Sequence, residues 1–148
     1  MNAAQKRFVD HMGHQMLAWG LARPTGRIYA YLLLQPEPVT LDQIARELGI
    51  AKSGASVATR HLMGFGMVRS TGEPGTRRLR YAANYDLETM LAARMKQFHD
   101  FAARLHEGIA VATAPEAKRH IRGMTEVLEQ AVGLISVNAR RAGKGRRT

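Results

Sequence analysis

"LDQIARELGIAKSGASVATR", residues 41 to 60, decides the fold of this chain. Leu41, Ile44, Ala45 and Leu48 recur at helical spacing, Gly49 stops the run, and Ala55, Ala58 and Leu62 resume it. A helix-turn-helix needs apolar residues inside both helices and in the turn. It also needs a small residue where the helices cross, and a glycine that accepts left-handed backbone. Ile44, Leu48, Ile50, Ala55 and Ala58 fill the apolar places, Ala45 the crossing and Gly49 the turn. An ordinary helical hairpin shares part of this spacing, but the basic charge around it favours the helix-turn-helix.

Working outward, residues 3–19 form a loosely apolar helix that Gly20 ends. Pro24 and Thr25 start a second helix, "GRIYAYLLL", which is apolar all round and therefore buried. Thr40 caps the helix at 41–48, and the next helix covers 52–64. The period then changes. "MVRST", "GEPG" and "TRRLRYAA" read as a hairpin with Pro74–Gly75 at the centre of a type II turn. Asp86 caps a long helix from 87 to about 113, which at ~1.5 Å per residue exceeds what so small a domain can cover alone. After Pro115 a last helix runs over 116–139, and the basic remainder reads as a flexible tail.

The expected fold is mainly α with a small β-hairpin wing. An N-terminal dimerisation helix (1–22) precedes a winged helix-turn-helix domain (23–85), C-terminal dimerisation helices (86–139) and a basic tail (140–148).

The 148 residues carry a net charge of +10, no cysteine and 45% hydrophobic residues. The charge is local. Residues 39–85 hold Arg46, Lys52, Arg60, Arg69, Arg77, Arg78 and Arg80 against Asp42, Glu47 and Glu73. The tail adds Arg140, Arg141, Lys144, Arg146 and Arg147 with no acid. Such a balance favours polyanion partners. The longest apolar stretch, Tyr29 to Leu34, is far below the ~20 residues that span a bilayer. The N-terminus lacks the apolar core of a signal peptide. A cytoplasmic protein without a membrane association is therefore expected.

On the second helix of the motif, Lys52, Ser53, Gly54, Ser56, Val57, Arg60 and His61 fall on the outer side. Short side chains near its start suit base edges, and Lys52 and Arg60 suit phosphates. Val57 suits a thymine methyl. With Thr40 and the wing residues Arg77, Arg78 and Arg80 they make up the expected DNA contacts. Strand alternation puts Arg78 and Arg80 on one face and Arg77 on the other, with Arg77 aimed at a minor groove and Arg78 at phosphate.

The stretch from "WGL" at Trp19 through "GRIYAYLLL", "PEPVTLDQIARELGI" and "PGTRR" to Ala83 resembles the MarR superfamily of winged-helix transcriptional regulators, within it the GbsR-like branch. The resemblance covers a little under half of the chain. It implies a homodimer on a pseudo-palindromic double-stranded operator, acting as a repressor, with a small-molecule effector between the dimer helices and the winged domain. Met16, Trp19, Tyr29 and Tyr31 lie in segments that suit such a pocket, or plain core packing. Three features depart from the family pattern. Ala51 stands where a serine N-cap is usual, so that Ser53 is left to cap a shortened helix. Ala55 and Thr59 replace larger aliphatics, which leaves room for a loosely packed core beneath the helix. Thr76 replaces the aspartate that braces the wing arginine.

Enzymatic chemistry finds no motif: there is no HExxH, no paired-cysteine site, no complete phosphate loop and no framed nucleophile. No cofactor and no resident metal are expected. Three other readings stay open. One is a winged-helix module for a protein or RNA partner. Another is a metal-responsive regulator or small helical enzyme using His11, His14, His99 and His106. The third is a basic protein at an acidic membrane surface.

Overall fold

The computed structural model describes residues 1–144, and their side chains as far as residue 136. Two compact units divide it, Met1–Asp86 and the segment from Leu87 onward.

In the first unit α1 (Ala3–Gln15) opens with a reciprocal cap: Gln5 N donates to Asn2 Oδ1 and Asn2 N to Gln5 Oε1, each at 2.9 Å. The expected helix to Trp19 tightens at its end into a 3-10 turn, Met16–Trp19. There Gly20 N and Leu21 N donate back to the Leu17 and Met16 carbonyls, a closure that buries Met16 and Leu21. Helix α2 (Arg23–Leu33) carries Pro24 in its first turn, where no backbone donor is missed. It crosses α1 with almost nothing between the backbones. A Cβ on Gly26 would stand 3.0 Å from both Gly13 Cα and the Met12 carbonyl. Beside the crossing, Asp10 of α1 accepts from Arg27 Nε at 2.9 Å. The same guanidinium reaches the Leu48 carbonyl at 3.4 Å.

Strand β1 (Val39–Thr40) leads directly into α3 (Leu41–Leu48), whose first turn is capped by Thr40 Oγ1 accepting from Gln43 N at 3.2 Å. Gly49 takes left-handed backbone (φ 63°, ψ 39°), as the sequence requires, and Ile50 N donates to the Ala45 carbonyl. Helix α4 (Lys52–Gly64) follows. Ile44 and Leu62 are fully buried, so truncating either to alanine costs about 2–5 kcal/mol. Ala55 and Thr59 are sealed too, and the Thr59 hydroxyl is satisfied by the Ala55 carbonyl at 2.9 Å. Both small side chains are thus shielded from solvent beneath the helix.

Strands β2 (Val68–Gly72) and β3 (Leu79–Ala83) pair antiparallel, with Val68 opposite Ala83 and Gly72 opposite Leu79. Strand β1 adds to the other edge of β3, Val39 opposite Tyr81 and Thr40 opposite Arg80, which gives a three-stranded sheet in the order β1-β3-β2. This third strand is absent from the sequence reading because two residues show no period. The hairpin turn is as expected: Thr76 N donates to the Glu73 carbonyl at 3.1 Å, and Gly75 has φ 76°.

The second unit is an antiparallel helix pair, α5 (Leu87–Val111) and α6 (Pro115–Lys144). Ala102, Thr125 and Val132 are buried, and His106 Nε2 lies 2.9 Å from Glu129 Oε1 across the pair. Helix α6 continues to Lys144, so residues 140–144 are helical instead of belonging to a flexible tail. Arginine, alanine and lysine hold a helix without any apolar stripe. The side chains of Arg140, Arg141 and Lys144, and residues 145–148 entirely, lie outside what is described. Among the described residues no helix is long and apolar enough to cross a membrane.

Candidate nucleic-acid interface

Helix α4 has two unlike faces. Ala55, Ala58, Thr59 and Leu62 are buried, while Lys52, Ser53, Gly54, Val57, Arg60 and His61 are exposed and Ser56 is half-buried. Val57, at 48% exposure, is an apolar side chain held in solvent amid polar neighbours. Of the seven residues the sequence puts on the outer side, six are exposed and Ser56 is half-buried. Ala51 occupies the N-cap and supplies no side-chain acceptor, and Ser53 does not cap either, because the helix begins at Lys52. The first-turn N–H groups of α4 thus add their partial positive charge to that of Lys52.

The wing departs from expectation at its tip. Strand β3 begins only at Leu79, so strand alternation does not extend to Arg77 and Arg78. Both lie in the turn. The Thr76 hydroxyl accepts from Arg78 N at 3.1 Å and donates to the Glu73 carbonyl at 3.3 Å, and Glu73 N donates to the Arg78 carbonyl at 3.0 Å. Thr76, which stands where the family's bracing aspartate was expected, braces backbone. Arginine bracing passes to Glu73, whose Oε1 accepts from Arg80 Nη2 at 3.2 Å. Arg80 Nη1 also donates to the Pro38 carbonyl at 3.4 Å, so Arg80 ties the wing to β1. Unlike Arg77 and Arg78, with which the sequence grouped it, Arg80 thus has internal partners in the free protein.

Thr40, Asp42, Lys52, Arg77 and Arg78 come together around a cleft of about 420 Å³ that Leu41, Leu79 and Tyr81 also line. Lys52 Nζ donates to Asp42 Oδ1 at 2.7 Å across the mouth of the helix pair. That hydrogen bond, with the charges of Lys52, Arg78 and Arg46, holds the Asp42 carboxyl below its ordinary value. Residue type alone did not mark Asp42 or Glu73 as functional. Their partners lie ten and seven positions away in sequence, across turns.

The four residues expected to line an effector pocket divide. Met16 and Tyr31 are core, at 1% and 2% exposure, and burial pushes the Tyr31 hydroxyl up from its ordinary value. Tyr29 is half-buried and its hydroxyl is raised for the same reason. Trp19 stands 61% exposed. They do not share one surface, because two of them present none. Of the histidines, His14 Nδ1 lies 3.0 Å from the Asp10 carbonyl and His106 is engaged with Glu129. Among the described residues no three His, Asp or Glu side chains gather as metal ligands would.

Comparison with known proteins places this geometry. No protein-family profile matches the chain. YvaV of Bacillus subtilis (strain 168), which bears the name of an HTH-type transcriptional regulator, is 23% identical over 83 residues, 56% of this chain and 47% of that protein. The matched part thus spans about half the length of this relative. A crystal structure described as that of a transcriptional regulator superposes with a TM-score of 0.87 at 22% identity, over 95% of this chain and 99% of the other. At that identity the likeness establishes the fold, a winged helix-turn-helix with long flanking helices. A mutant of MepR from S. aureus bound to an oligodeoxyribonucleotide reaches a TM-score of 0.45 at 15% identity over 86% of this chain and 90% of that one, too distant to carry an argument. The first two of these proteins are described as transcriptional regulators.

Proposed function

We propose that this chain is a sequence-specific double-stranded DNA-binding transcriptional regulator of the MarR superfamily, in its GbsR-like branch. In this reading it acts as a homodimeric repressor on a pseudo-palindromic operator. The observation that carries the reading is the exposed outer face of α4, with Lys52 at its start, short side chains next and Arg60 further on, and with Arg77 and Arg78 beside Lys52. An α-helix about 10–12 Å across fills a B-DNA major groove about 12 Å wide. Ser53, Gly54, Lys52 and Arg60 stand in solvent on that side of α4. Ser53, Ser56 and Val57 then face base edges, Lys52 and Arg60 face phosphates, and the wing tip reaches the neighbouring strand.

The second unit supports the homodimer. Phe101, Met124, Val127 and Leu134 are 50–68% exposed on α5 and α6, and Phe101, Leu105, Met124, Val127, Leu128 and Ala131 line one apolar groove. An apolar face of this extent is covered in a stable soluble assembly, and a two-fold partner doubles the DNA face in the symmetry of a palindrome. The effector response rests on the family resemblance, and Trp19 is the most open of the residues proposed for it.

The test is duplex binding over a range of salt, with the gene's own upstream DNA against a scrambled duplex. The reading expects a sequence-dependent difference and a steep salt slope. Equal affinity for both duplexes at every salt overturns it, and preference for single-stranded RNA transfers the α4 face to another partner.

A further inference from the structure

The cleft between α3, α4 and the wing tip holds three cations, Lys52, Arg77 and Arg78, and one carboxylate, Asp42. That carboxylate sits on Lys52 at 2.7 Å, although both side chains are more than 60% exposed and have water as an alternative. Lys52 is the first residue of α4, where the uncapped helix start and the wing arginines also favour an anion. The free protein thus keeps an anion of its own at the place where a DNA phosphate would be welcome.

We infer that Asp42 is an affinity-setting residue, its carboxylate standing in for a backbone phosphate on Lys52 until DNA displaces it. The inference rests on the DNA-binding reading above and adds to it a residue that lowers affinity. Its chemistry is ion exchange. When a lysine with no internal partner meets a phosphate, the DNA releases about 0.9 of a counterion. When Lys52 must first leave Asp42, the freed carboxylate takes up a cation, and part of that release is cancelled. Lys52 therefore contributes less to affinity and to its salt dependence than an unpaired lysine would. Asp42 also lies in the first turn of α3, where an acid suits the helix dipole. That structural role predicts a change in melting temperature and none in DNA affinity.

The experiment is a double-mutant cycle on the full chain with the upstream duplex, titrated from low to high salt. Asp42→Asn is expected to bind about 1.5- to 5-fold tighter at low salt, the range of an exposed ion pair. Its log affinity should fall more steeply with log salt, by up to about 0.9. In a Lys52→Gln background the same Asp42→Asn change is expected to gain nothing. An equal gain in both backgrounds would mean long-range repulsion of DNA and overturns the inference. A shifted melting temperature with unchanged affinity overturns it in favour of the helix-dipole role. A wild-type chain that shows no salt-dependent duplex binding removes the underlying DNA reading, and with it this one.

Discussion

Glu73 and Arg80 close the wing on its own base: the Arg80 guanidinium donates to Glu73 Oε1 at 3.2 Å while its other arm reaches the Pro38 carbonyl at 3.4 Å. Removing an acid from a basic surface ordinarily tightens DNA binding, but here the acid holds the wing in shape. Glu73→Ala is therefore expected to weaken operator binding roughly two- to tenfold, the worth of one hydrogen bond of this kind. Fluorescence anisotropy against wild type checks the sign, and tighter binding would mean that charge outweighs bracing.

Arg60 is exposed on the outer side of α4, one turn beyond the short residues. Arg60→Ala is expected to weaken all duplexes alike and to reduce the salt slope by about one unit. A loss confined to one sequence would move Arg60 from phosphate to a base edge.

Gly54 has open space where a Cβ would stand, and its helical backbone accepts any residue. Gly54→Ala is therefore expected to stabilise the free protein by about 1 kcal/mol. If the α4 backbone comes close to DNA there, the same methyl group lowers affinity. The expected outcome is a higher melting temperature together with weaker operator binding, measured on one preparation.

Val127 is 67% exposed within the apolar groove of the second unit. Val127→Glu is expected to yield monomers in sedimentation experiments and to lower affinity for a two-half-site duplex on the order of a hundredfold, since avidity is lost. Affinity for a single half-site should change little.

Lys96 and Asp100 pair one turn apart on α5 at 2.8 Å. The hydrogen bond from Lys96 lowers the Asp100 carboxyl from its ordinary 3.8, and the same bond raises Lys96 from 10.5. A depressed acid contributes stability above its ordinary value and loses it as pH falls through the folded one. A raised base contributes below its ordinary value and loses it as pH rises through the folded one. The pair's contribution thus spans the interval between the two. The melting temperature of Asp100→Asn should lie below wild type near neutral pH and converge with it in acid.

Much of the fold was legible because it is written in local spacing. Leu41 to Leu62 carry their helical period and their glycine stop within one window, and the structure realises both. The Pro74–Gly75 turn follows from backbone chemistry alone. What escaped is pairing across distance. Strand β1 is two residues long and exists only because β3 offers it an edge. Arg80 reads as a free cation until the hairpin register brings Glu73 beside it, and Lys52 until the turn at Gly49 sets α3 against α4. Arg77 and Arg78 were misread as strand because the basic run gives no sign that Thr76 holds the turn open two residues longer. Met16 and Tyr31, which the sequence left open between pocket and core, lie in the core, where large apolar side chains contribute most.

The crossing of Gly13 and Gly26 leaves no soft tissue between the first two helices. α2 in turn is bedded against α4. α1, α2 and α4 are thus stacked in direct contact, like a tiller bolted straight to its rudder. On the DNA-binding reading proposed above, the angle at which α4 meets an operator would be steered through a joint too narrow for a single methyl group.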